Sequence, residues 1–321
     1  MGRRTREKRT MDPINPHHIR YIKLGAAGRW AKQAIDNGEL PFGYPAIPHD
    51  LCLSGDWHAV TRAIQTSLSW PLKAARRGAG ELEAFYTLGP DCLWVTFEDA
   101  HLWWCYAELA VTVPAAGPPD APSRVRLVCG GWNNKDIHGV PLRMDGLSTR
   151  LTQTAGYRGT VCTVGAADYL VRRINGIEEP VVARARAAQG HMIEIAVEII
   201  RGLHWADFEV MVDLIFARTG WQRVSAVGGM QTDTDLVLKQ PTTEEIAFVQ
   251  VKSKAGQAVL EDYIARFVDS GIYNRMFFIC HSPSSELKHQ DDPWIHVWAG
   301  ERLAHTAIQV GLYDWLIERA G

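Results

Sequence analysis

Hydrophobic positions in this chain switch repeatedly between a period near two and a period near 3.6, which predicts short strands interleaved with amphipathic helices. Residues 19–24 predict a first strand. A helix is predicted over 28–37, closed by Gly38 as a natural C-cap, and another over 57–69. β-rich runs follow at 82–88, 92–97, 101–113, 124–128 and 160–164, with the Pro/Gly/Ala stretch 114–122 as a loop and a short helix at 168–174. Further on, Ile193, Val197 and Ile200 recur at helical spacing within 181–201, before Gly202. The last third predicts a helix at 207–218 ended by Gly220, strands at 222–227, 234–239 and 246–252, and a helix at 257–270. Strands at 275–281 and 295–298 and a closing helix at 301–318 complete it. That order is mixed, with a βαβ crossover expected near its centre.

A length of 321 residues allows two domains, and no internal repeat is visible. Residues 1–18 form a basic arm, expected to be flexible; 19–177 form a first domain, 178–204 a linker and connecting helix, and 205–321 a second domain. At 46% hydrophobic and 22% charged, the composition is that of an ordinary folded protein. No apolar run is long enough to span a bilayer, and no apolar segment follows the basic N-terminus as a secretory signal would require. Six cysteines at 52, 92, 105, 129, 162 and 280 include no Cys-x-x-Cys pair, which fits reduced thiols in a cytoplasm better than structural zinc. The net charge of −2 divides unevenly: 11 Lys+Arg against 18 Asp+Glu over 191–321 leaves the front of the chain positive. The front is therefore the better placed to grip a polyanion.

Candidate chemistry concentrates in three fragments near the last third: Phe208-Glu209, Asp233-Thr234-Asp235 and Val249-Gln250-Val251-Lys252. Phosphodiester hydrolysis needs oxygen ligands for a hard divalent cation and a positive group near the attacked phosphate. Asp235 heads a strand, and Gln250 and Lys252 share a face because side chains alternate along a strand. Lys252 is placed to neutralise charge on the phosphate or polarise the attacking water. Glu209 can complete the metal shell, while Asp233 is the weaker metal candidate. An Asp opening a strand and a Lys ending one are each common surface features; the ordered set is the informative observation. There is no Walker A loop, no Gly-x-Ser-x-Gly elbow and no His-Glu-x-x-His helix. His204 and His281 are read as surface or core residues.

On these fragments the segment 205–321 resembles the catalytic domain of Mrr-type restriction endonucleases, within the PD-(D/E)xK superfamily. Gly228-Gly229, Phe277-Phe278-Ile279 and Ala299-Gly300-Glu301-Arg302-Leu303 continue the likeness. The resemblance implies an α/β domain with a mixed central sheet flanked by helices. It also implies catalysis by Asp235, Gln250, Lys252 and Glu209, with Asp235, Glu209 and Gln250 around Mg²⁺ or Mn²⁺. Gln250 stands where Asp or Glu is usual, a variant the family tolerates. Thr234 departs from its Gly-rich loop.

Seven of twelve tryptophans, at 30, 57, 70, 94, 103, 104 and 132, precede residue 190 and interleave with basic residues. Such a mixture suits stacking of an extruded base beside phosphates, although most such rings are core. Trp30, Trp57 and Trp94 are the candidates for a base pocket, with Asp56 or Asp91 reading a base edge. Tyr21-Ile22-Lys23-Leu24-Gly25, Trp30, Phe42-Gly43-Tyr44 and Leu93-Trp94-Val95-Thr96-Phe97 resemble the PUA-like or EVE-like superfamily of small α+β barrels, which includes modified-base readers. Together the resemblances imply a modification-dependent DNA endonuclease. Its expected partner is double-stranded DNA carrying a modified, flipped cytosine, and a homodimer is expected on DNA because one chain offers one active site. A front domain binding RNA or unmodified DNA, and a non-cleaving nucleic-acid-binding protein, remain open alternatives.

Overall fold

A computed structural model of the chain describes residues 12–115, 118, 120–224, 236–289 and 292–321. The chain divides into two compact units, Met1–Glu179 and Pro180–Gly321.

The first unit contains strands β1 (His18–Ile22), β2 (Glu39–Phe42), β3 (Cys92–Glu98), β4 (His101–Ala107), β5 (Arg124–Asn133) and β6 (Val161–Thr163). Helices α1 (Ala31–Asn37), α2 (His49–Leu53), α3 (Trp57–Leu68), α4 (Leu72–Thr87), α5 (Thr149–Thr152) and α6 (Ala167–Ile174) pack around them. The sheet order is β2-β5-β4-β3-β1-β6, antiparallel except where β1 and β3 pair in parallel. Alternation along β3 sends Cys92 and Trp94 into one apolar cluster and Leu93 and Val95 into another, so this strand is buried on both faces. β5 adds two buried arginines, Arg124 and Arg126, with no carboxylate partner among the described residues. Arg126, fully buried, donates to the carbonyls of Phe85, Ala107 and Glu108 and lies 5.7 and 5.6 Å from the rings of Phe85 and Trp94.

Three expectations are corrected here. Residues 82–88 are not a strand but the end of α4, because Ala75, Ala79, Leu82, Phe85 and Tyr86 all lie on one buried helical face. The barrel implied by the resemblance is not closed; among the described residues β2 and β6 are the two ends of the sheet. The arm is not free to its end, since Ile14 is buried and exchanges hydrogen bonds of 2.8 and 2.9 Å with the side chain of Asn175.

The second unit comprises α7 (Pro180–Gly202), α8 (Trp205–Arg218), β7 (Gln222–Arg223), β8 (Leu236–Lys239), β9 (Ile246–Lys252), α9 (Gln257–Ser270), β10 (Arg275–Cys280), β11 (Ile295–Ala299), α10 (Gly300–Gln309) and α11 (Tyr313–Ala320). Its sheet runs β11-β10-β9-β8-β7, with β9, β10 and β11 parallel and β8 and β7 antiparallel to their inner neighbours. The β9-α9-β10 segment is the expected crossover. Ala247, Val249, Val251, Phe277 and Ile279 face a core shared with α7, α8, α10 and α11. Phe248, Met276, Phe278 and Cys280 face α9 through Leu260. The helix expected over 301–318 is broken at Gly311, whose φ of 77° suits glycine. Arg218, at the end of α8, clamps the break by donating to the carbonyls of Val310 and Gly311 at 2.8 and 2.6 Å. Among the described residues no helix is long and apolar enough to cross a membrane.

Phe216 stacks on Trp298 at 5.4 Å and meets Phe277 edge-on at 5.0 Å. Phe216→Ala is expected to cost about 3–5 kcal/mol, measured by urea unfolding through tryptophan fluorescence. Val268→Ser, at an exposed position, should change stability by no more than about 0.5 kcal/mol.

Candidate active site

β9 ends in the polar-x-Lys fragment, and its register with β10 fixes where each side chain stands. Gln250 pairs with Phe278, Val251 with Ile279 and Lys252 with Cys280. Val251 turns into the core beneath α7 and α8, while Gln250 and Lys252 point to the α9 face. That face is closed as well: Gln250 retains 1% of its surface. Lys252, one alternation nearer the strand end, is only half-buried and holds its ammonium 5.3 Å over the ring of Tyr263 on α9. A lysine set on an aromatic face is held in place while its charge persists. Tyr263 was not among the sequence candidates; its spacing within 257–270 marks a helix face, and nothing in it names the strand it meets.

Beyond Lys252 the chain laces to the segment after β10. Ser282 N–H donates to the Ser253 carbonyl at 3.1 Å, and Ser284 N–H to the Ala255 carbonyl at 2.9 Å. His281 lies in this seam, 7% exposed, with its Nδ1 2.8 Å from the Ser282 hydroxyl and its ring edge-on to Phe208 at 4.6 Å. That contact brings the first turns of α8 to the same, carboxyl end of the parallel strands, where open α/β sheets place their ligands. Glu209 follows Phe208 on that helix and is exposed. Burial, and then the Lys254 ammonium, lower the pKa of His281 below the ordinary imidazole value.

Asp233 and Asp235 lie outside the described residues; β8 starts at Leu236, the residue after Asp235. Among the described residues no three His, Cys, Asp or Glu side chains converge as a metal site.

The pocket candidates of the first unit are not gathered together. Trp30 lines one cavity and Trp57 another. Trp94 is fully buried between Phe85 and Arg126, so it belongs to the core and not to a pocket. Asp56 caps α3 by accepting from Ala59 N–H at 2.9 Å, and Asp91 stands 3.4 Å from the His17 imidazole.

Residues 200–286 match the restriction endonuclease family model Mrr_cat. The stretch lies inside the second unit and includes α8, β9, Gln250, Lys252 and His281, so the polar end of β9 belongs to a restriction-endonuclease-like segment. The solved structure of the DNA modification-dependent restriction endonuclease AspBHI aligns with 71% of this chain and 68% of its own, at 11% identity and a TM-score of 0.27. Likeness that weak says nothing about fold. No curated protein matches the sequence.

His281 and His296 both have pKa values lowered mainly by burial from an ordinary 6.5. As pH falls below that value the unfolded chain takes up protons that the folded chain resists. Their contribution to stability is therefore complete above pH 6.5 and lost as pH drops through the folded values. Urea unfolding between pH 7.5 and 5.5 should show this decline, and His281→Gln should make it shallower.

Proposed function

We propose that this protein is a metal-dependent DNA endonuclease gated by recognition of a modified base, the second unit cutting and the first unit reading. The observation that carries the cutting role is the placement of Gln250 and Lys252. They lie two residues apart on one face at the carboxyl end of β9, within the restriction-endonuclease-like stretch. Lys252 neutralises charge building on the attacked phosphate. Its position at the strand mouth, above Tyr263, leaves Lys252 half-exposed for that purpose.

The donor set suits a hard divalent cation. The Gln250 amide oxygen and the Asp235 and Glu209 carboxylates are oxygen ligands, and neither thiolate nor imidazole is among them. These residues would hold Mg²⁺ or Mn²⁺. When bound, such an ion polarises the phosphate and lowers the pKa of a coordinated water. The reading role rests on the surplus of positive charge in the front of the chain and on the tryptophans interleaved there with basic residues. Modified, flipped cytosine is the proposed target. One chain carries one such site, so cutting both strands of a duplex requires a second copy, and a homodimer on DNA follows.

Incubation with Mg²⁺ and DNA containing cytosine, 5-methylcytosine, 5-hydroxymethylcytosine or glucosylated cytosine tests both roles. Cleavage is expected only of a modified DNA. It should be abolished by chelation and reduced about 10²–10³-fold in Lys252→Ala, the range for removing one electrostatic contact to a transition state. Equal cutting of all four would remove the gate and keep the nuclease. Cutting of RNA alone, or of nothing, would overturn the proposal.

A further inference from the structure

In the first unit a cavity of about 690 Å³ is lined by the rings of Trp30, Tyr44 and Trp70 and by Lys23, Arg29 and Arg158. Its walls come from segments far apart in sequence, and the neighbouring backbone is cleared to fit them. A Cβ added at Gly25, where φ is 82°, would lie 2.7 Å from the Trp30 ring. One added at Gly78 on α4 would lie 2.9 Å from the Tyr44 hydroxyl and 3.2 Å from Trp70. Tyr44 itself takes a left-handed φ of 71°, a costly conformation that persists only where the surroundings enforce it.

Two of the three rings have their polar ends tied down. Trp30 Nε1 donates to the Asp120 carbonyl at 3.0 Å. Tyr44 donates to Glu81, 4% exposed, at 3.0 Å, and that carboxylate also accepts from the Tyr157 hydroxyl at 3.3 Å and Thr160 N–H at 3.1 Å. Burial, then the Glu81 carboxylate, hold the Tyr44 hydroxyl protonated far above the usual tyrosine range. With these polar atoms occupied, Trp30 and Tyr44 offer ring surface to the cavity, and half-buried Trp70 lines it as well. Trp70 stands edge-on to Tyr44 at 6.0 Å, so the two present faces in different planes.

The cations differ in availability. Arg29 is paired with Asp120 at 3.0 Å and Lys23 donates to the Tyr157 carbonyl, whereas Arg158 is exposed and forms no ion pair among the described residues. Aromatic faces alone would also suit an ammonium ligand, but Lys23 and Arg158 among the lining residues repel one. Aromatic faces beside a free guanidinium suit a flat base joined to a phosphate. A base stacked in a duplex cannot reach such a recess unless it is turned out of the helix.

We propose that this cavity takes one nucleotide extruded from DNA, its base against Trp30, Tyr44 and Trp70 and its phosphate at Arg158. The proposal rests on the reading of the second unit as a DNA endonuclease. It replaces Trp57, Trp94, Asp56 and Asp91 as pocket residues, and makes Glu81 a positioning residue acting through Tyr44.

The test uses the full chain carrying Lys252→Ala and duplexes with 2-aminopurine immediately 3′ of the target cytosine, unmodified or modified in the three ways above. Extrusion removes a stacking neighbour of the probe and raises its fluorescence, even if the extruded base is itself quenched. A rise on binding is expected. Adding Trp70→Ala should abolish the rise and weaken binding about tenfold or more, while Trp70→Phe, which keeps a ring, should preserve it. Arg158→Ala, at an exposed position, should weaken binding and lower the salt-dependence slope by about one. Tyr44→Phe should blunt discrimination among duplexes while keeping the rise. A rise that survives both Trp70→Ala and Arg158→Ala, or no rise on any duplex, overturns the proposal. The two readings separate cleanly. A Trp70-dependent rise equal on all duplexes keeps the cavity and removes the modified-base gate; modification-dependent cutting indifferent to cavity variants keeps the gate and places it elsewhere.

Discussion

A strand sealed on both faces can offer polar chemistry only at its ends, and the second unit is arranged around that constraint. β9 lies between two parallel or antiparallel neighbours and between two helical layers. A charge in its middle would be desolvated without solvent or partner. The lysine accordingly sits at the last residue of the strand, and the neutral amide of Gln250 is what occupies the sealed position behind it. The seam between the segments after β9 and β10, with His281 against Phe208, then fixes where α8 begins relative to that end. Position of the polar groups is thus a by-product of how the core is closed.

Much of this unit is legible in the sequence because its periods are clean. The alternation in Phe248-Val249-Gln250-Val251-Lys252 defines both a strand and its faces, and 257–270 carries a helical stripe bounded by Gly256 and Gly271. The closing helix was legible only in outline. Leu303, Ile308, Leu312 and Leu316 keep a helical rhythm across Gly311, so the pattern hides a break that depends on Arg218 arriving from another element. For 82–88 the aromatic and leucine content favours a strand, yet the buried face extends back to Ala75, and a window starting at Leu82 misses it.

In the first unit the limit is of another kind. A tryptophan's identity says that it will lose water, and not whether it does so in a core or in a recess. Trp94 and Trp30 look alike along the chain. Trp94 becomes interior where Phe85 and the buried Arg126 guanidinium pack against it. Asp56 carried a readable signal as a helix cap, standing just before the apolar rhythm of α3. The wall made by Trp30, Tyr44, Trp70 and Arg158 joins four separate segments, and only the folded chain brings them to one place.

The matched stretch 200–286 stops before β11, α10 and α11, although β10 pairs with β11 and Leu303, Ala304, Ala307, Leu312 and Leu316 fill the shared core. On the other side α7 contributes Ala196 to the same core, with Ile193 and Val197 packed against it. The matched stretch is therefore shorter than the unit that folds around it. Cut out at those borders, it would have a bare β10 edge of the sort that recruits other chains. A fragment meant to carry the end of β9 in folded form would need both flanks, residues 180–321.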